Sequence, residues 1–154
     1  GKLTPADIML ADLDGNSLSP GKRPSAETLL HTALYRLYPR VGGVLHTHST
    51  ASTVLSLTAD GWLMLQGYEL LKIFEGIDTH ETHVRIPIFP NDQDMTRLSA
   101  KVDAWIGEHG AIHAYLIAGH GLYTWASDVR QAGLQVEALE FMLECELLKR
   151  RIGS

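Results

Sequence analysis

The clearest chemistry in this sequence lies in His46-Thr47-His48. Val44 to His48 follows Gly42-Gly43 as a short run that reads as a strand, and residues two apart on a strand point to the same face. Two imidazoles at that spacing can reach one ion, so the pair is a ready chelate. The sequence holds 8 histidines in 154 residues, which also allows the spacing by chance, and alone the pair fits two exposed or hydrogen-bonded rings equally well. His120 sits between Gly119 and Gly121 after an apolar run, where the backbone can turn sharply enough to deliver a ring into a cleft. A lone histidine at such a turn is more often structural. Three imidazoles on one ion, however, would leave a coordination position open, which is the layout of a catalytic rather than a closed structural site.

Other titratable groups carry weaker signals. His80 and His83 are spaced three apart on a loop or strand start, which does not bring both rings to one face, and they read as surface residues. His31, His109 and His113 read as structural or exposed, with His31 the closest of them to the cleft. Glu137, Glu140, Glu144 and Glu146 read as one charged helix face. By type and position alone, Glu69 reads as a solvated glutamate and Glu27 as a first-turn helix residue favoured by the macrodipole.

The elements that position these groups follow from periodicity. Ile8 to Leu13, running into Asp14-Gly15-Asn16, predicts a strand and a tight turn. Apolar residues at Ala26, Leu29, Leu30, Ala33, Leu34 and Leu37 predict a helix over Ser25 to Tyr38. Ser49 or Thr50 caps a helix reaching Leu57; Trp62 to Leu65 suits a strand and Tyr68 to Phe74 a helix. Val84 to Phe89 reads as a strand placed near an edge or at a bulge by Pro87, and Asn91 or Asp92 opens a helix to about Ile106. Ala114 to Ile117 and Leu122 to Trp125 are strands flanking Gly119-His120-Gly121, and Ser127 caps a long helix to about Arg150. The alternation predicts one α/β domain.

Composition narrows the function. With 13 Lys and Arg against 18 Asp and Glu the net charge is -5, and no basic run offers the electrostatic footprint of a nucleic-acid binder. No apolar stretch approaches a membrane span, and the start lacks the layout of a secretory signal, so a soluble protein without membrane partners is expected. Cys145, the single cysteine, lies in an apolar run, which suits packing in a reducing cytoplasm.

Taken together, Pro24-Ser25-Ala26-Glu27 with His31, Val44-Leu45-His46-Thr47-His48-Ser49, and Gly119-His120-Gly121 resemble, in that order, three signatures of the class II aldolase and adducin-like superfamily. Blocks 67–72, 87–94, 120–125 and 143–148 are similar to one branch of it, the bacterial methylthioribulose-1-phosphate dehydratases of methionine salvage. The resemblance implies a three-layer α/β/α fold with a largely antiparallel central sheet, assembled as a homotetramer with active sites near subunit contacts. It implies one zinc ion per subunit on His46, His48 and His120, with Glu69 as the acid/base of a sugar-phosphate dehydration. Glu27 is the second candidate, because related aldolases place a glutamate there beside the metal. A sugar-phosphate aldolase or epimerase, and a non-catalytic adducin-like interaction module, are the rival readings.

Two departures accompany the resemblance. Ala126 stands where glycine is expected after Tyr123-Thr124-Trp125. The domain expected over 1–154 also lacks the family's N-terminal portion, including a Gly-Asn loop that helps hold the substrate phosphate.

Overall fold

The computed structural model describes residues 4–153. Among these, five strands form one sheet: β1 (Gly43–Thr47), β2 (Trp62–Gln66), β3 (His83–Phe89), β4 (Ala114–Ile117) and β5 (Gly121–Ala126). Their spatial order is β1-β5-β4-β3-β2. β1 with β5, β5 with β4, and β2 with β3 pair antiparallel, while β3 with β4 is parallel, so the sheet is largely antiparallel as expected.

Strand alternation sends side chains to two separate cores. Ala114, Leu116 and Leu122 face α2 (Thr50–Thr58) and α4 (Val129–Ile152), which contribute Leu55, Leu139, Met142 and Leu143. Tyr115, Ile117, Tyr123 and Trp125 face the other way, toward α1 (Thr28–Leu37) and α3 (Met95–His109). α3 shows the helical logic plainly: Leu98, Val102 and Ile106 recur four apart and are its buried residues. Helices on both faces give the expected three layers.

Several boundaries differ from the sequence reading, each for a local reason. Ile8 to Leu13 is not a sheet strand: among the described residues the Ala11–Ser17 bridge is its only strand-like pairing, and Ile8, Leu10 and Leu13 are exposed. Apolar composition suits a strand, but pairing needs a neighbour, and here the Asp12 carboxylate turns the chain by accepting from the Asn16 amide. Pro87 lies on an interior strand, not at an edge. It is tolerated because pairing to β4 begins one residue later, at Ile88 with Leu116. Tyr68 to Phe74 tightens to a 3-10 helix over Glu69–Ile73. α3 and α4 are capped by Asp94 and Asp128, whose carboxylates accept the Arg97 and Gln131 amides, in place of the earlier residues expected.

Candidate metal centre

Three elements converge at one end of the sheet. β1 carries His46 in register with Tyr123 of β5, and His48 lies just past the strand, before Ser49 caps α2 by accepting the Ser52 amide. His120 sits in the turn from β4 to β5. Gly119 there has φ +66, and a Cβ at Gly121 would overlap the Thr47 carbonyl and press on the His46 and His48 rings. Both glycines of the Gly-His-Gly motif are thus required by shape. Glu27 arrives from the other side as the N-cap residue of α1, one position before the first turn expected for it, with no capping bond to occupy its carboxylate.

One ligand atom from each of Glu27, His46, His48 and His120 lies within 4.8 Å of the others. His46 Nε2 is 2.7 Å from His48 Nε2, and Glu27 Oε1 is 3.0 Å from His120 Nε2 and 3.9 Å from His46 Nε2. His46 Nδ1 lies 2.9 Å from the Leu122 carbonyl, an acceptor only, so Nδ1 carries the proton and Nε2 presents its lone pair to the cluster. Burial pulls the His46 imidazole down to about 4, against the raising effects of the Leu122 carbonyl and Glu27, while His48 and His120 lower it further. The ring is therefore neutral near pH 7.

This donor set fits a divalent cation. A tetrahedral ion bound at about 2.0–2.1 Å from nitrogen holds its ligand atoms roughly 3.3 Å apart, which the observed spacings bracket. At 2.7 Å the His46 and His48 nitrogens are close enough to share a hydrogen bond or to hold one cation between them, and the Glu27 carboxylate would balance that cation's charge.

Glu69 stands elsewhere. It follows Gln66, whose partner His83 opens β3, and that end of the sheet is opposite to the one carrying His48 and His120. Its side chain is 67% exposed and pairs with Lys72, with His80 Nδ1 at 3.5 Å. Lys72 is the main cause of the lowering of its carboxyl below the ordinary value. His80 and His83 are exposed, as expected of surface residues. His31 meets Tyr123 edge-on at 5.5 Å, one shell behind the cluster. The α4 glutamates are not a purely solvated face: Glu140 accepts from the Thr47 hydroxyl at 2.7 Å, and Glu146 from Tyr68. Sequence reasoning missed the Leu122 carbonyl, which as a backbone atom leaves no compositional signal. It also missed Tyr123, which the pairing of the His46 and Leu122-to-Trp125 strands could have revealed.

Fold and site together define a class of three-layer α/β domain with a candidate metal centre of one carboxylate and three imidazoles, and similarity to known proteins gives it a family. The Class II Aldolase and Adducin N-terminal domain family matches residues 1–147, and the chain belongs to it. A protein named methylthioribulose-1-phosphate dehydratase from Pseudomonas syringae pv. syringae is 56% identical over 153 residues, spanning 99% of this chain and 75% of its own length. Among solved structures, YgbL of Escherichia coli, whose description names aldolase, epimerase and decarboxylase as candidate activities, is 27% identical. It superposes with a TM-score of 0.77, covering 96% of this chain and 68% of that one. An L-fuculose 1-phosphate aldolase, 19% identical, shares the fold at a TM-score of 0.78 over 99% of this chain and 66% of its own.

Proposed function

We propose that this chain is a hydro-lyase that converts 5-methylthioribulose 1-phosphate to 2,3-diketo-5-methylthiopentyl 1-phosphate in cytoplasmic methionine salvage, with zinc on His46, His48 and His120. The convergence of these histidines with Glu27 carries the reading, and the 56% identity to a methylthioribulose-1-phosphate dehydratase supports the substrate. Neutral imidazole donors suit zinc at neutral pH.

A divalent cation at this position supplies Lewis acidity toward the carbon 2 carbonyl oxygen, which makes the proton on carbon 3 more acidic. The chain supplies the rest. A carboxylate takes the carbon 3 proton, the carbon 4 hydroxyl leaves as water with a proton returned by the same group, and the resulting enol becomes the 2,3-diketone. We assign that acid/base role to Glu69. Glu69 lies at the opposite end of its own sheet, and in this proposal it serves the cluster of a neighbouring subunit in a homotetramer. Glu27 is the in-chain alternative, favoured by its 3.0 Å approach to His120; in the first reading it completes the metal shell.

Mixing variants tests the assignment. Glu69→Gln and His120→Ala should each be inactive, and dissociating and reassembling them together should restore part of the activity, because some contacts then join an intact Glu69 to an intact cluster. No recovery, with Glu69→Gln alone near normal and Glu27→Gln inactive, would move the acid/base to Glu27.

A further inference from the structure

We infer that Tyr123 is a positioning residue of the metal centre, its ring face setting the tilt of the His46 imidazole; this rests on the metal site proposed above. β1 is an edge strand, paired only with β5 among the described residues. A ligand on an edge strand lacks a second strand to steady it.

Tyr123 supplies that support. It is the cross-strand partner of His46, and the two rings stack with centroids 4.1 Å apart and planes 19° from parallel. On its other side Tyr123 stacks on its β4 partner Tyr115, at 4.9 Å and 15°. Both tyrosines are fully buried, and the edge of His31 closes on Tyr123 at 5.5 Å. The result is a column of three rings across β1, β5 and β4, its inner end fixed in the α1/α3 core.

The two restraints on His46 act on different freedoms. The hydrogen bond from Nδ1 to the Leu122 carbonyl aims Nε2 within the ring plane, but a single contact leaves the plane free to rock about it. Stacking against a ring that cannot itself move removes that freedom. Geometry this tight tolerates little rocking, since Nε2 stands 2.7 Å from His48 Nε2, and the exposed His48 ring meets the His46 and His120 rings only edge to face among the described residues. The Tyr123 hydroxyl makes no hydrogen bond to another described residue, so what Tyr123 offers His46 is its ring face.

Cobalt(II) titration of the metal-free protein, read by the visible absorption of the bound ion, tests this. Tyr123→Phe keeps the ring and should bind as tightly as the parent with the same spectrum. Tyr123→Met keeps apolar bulk without a ring, and should bind about 10- to 100-fold more weakly with an altered spectrum, the usual cost of losing an outer-shell support. Tyr115→Met, which disturbs the same core without touching His46, should stay closer to the parent. Equal losses in Tyr115→Met and Tyr123→Met, or no loss in Tyr123→Met, would overturn the inference. Should Tyr123→Met fail to fold, a changed cobalt spectrum in Tyr123→Phe would overturn it by placing the effect on the hydroxyl, and an unchanged one supports it. A parent that binds no cobalt would sink the metal site itself, a result distinct from a parent and Tyr123→Met that bind alike.

Discussion

Burial keeps the His46 ring uncharged near neutral pH, and the Leu122 carbonyl holds its one proton on Nδ1, so Nε2 faces the cluster ready to ligate. The neighbours differ in what they risk. His120→Ala removes a donor outright and should strip metal from the protein on dialysis against a weak chelator, which elemental analysis reads directly; full retention would remove His120 from the ligand set. Glu69→Gln should keep its metal while turnover drops by about two to four orders of magnitude, the usual worth of a positioned acid/base. Metal loss in that variant would place Glu69 in the coordination shell instead.

Much of the site was legible from residue types. His-x-His on a strand and a histidine between glycines declared the three imidazoles, and the structure brings them together with Glu27. Why the glycines flank His120 became visible only in three dimensions, where Gly121 lies against the Thr47 carbonyl. The position of Glu69 was not legible, because a motif states which residues occur and not at which end of a sheet they emerge.

At the scale of elements, the centre depends on how β1 and β5 are held from behind. α4 packs against both, and the buried Thr124 hydroxyl joins the Gln135 side chain at 2.9 Å where that helix crosses β5. Thr124→Val keeps the shape and deletes the hydroxyl, leaving the Gln135 amide buried without this partner. Denaturant unfolding should show a loss of about 1–3 kcal/mol, the cost of stranding a buried polar group. An unchanged midpoint would mean that Gln135 finds another partner. Gly121→Ala acts on the same strand pair, pushing β1 from β5 at the cluster, and should lower both stability and metal retention. The elements themselves were readable where the apolar period was strong, as in α1, or where polar capping residues announced a helix, as before α3 and α4. Reading failed at Ile8 to Leu13, where β-prone residues have no strand to join, and at Pro87, where the tolerated position follows from the offset of β3 against β4.

For the whole molecule, half-buried histidines couple stability to pH. Burial lowers His31, His46 and His113 below the ordinary imidazole value, so between that value and their folded ones the unfolded chain binds protons that the native state does not. Stability of the metal-free protein should therefore fall as pH drops from about 6.5, by at most about 1.4 kcal/mol per pH unit for each such group. Asp103, raised by burial, opposes this only in the carboxylate range. Thermal melts between neutral and mildly acidic pH read the slope, and a flat or rising profile would contradict it. Among the described residues no helix is long and apolar enough to cross a membrane.

In the function proposed here, Glu27, His46, His48 and His120 hold a metal that this chain uses to dehydrate a keto-sugar phosphate. Mass spectrometry of 5-methylthioribulose 1-phosphate incubated with the purified protein tests it most directly, before chelation, after chelation and after zinc is restored. The expected product is lighter than the substrate by one water, absent after chelation and regained with zinc. Two carbon fragments, an isomer of unchanged mass, or water loss that persists in the fully chelated protein would contradict the account.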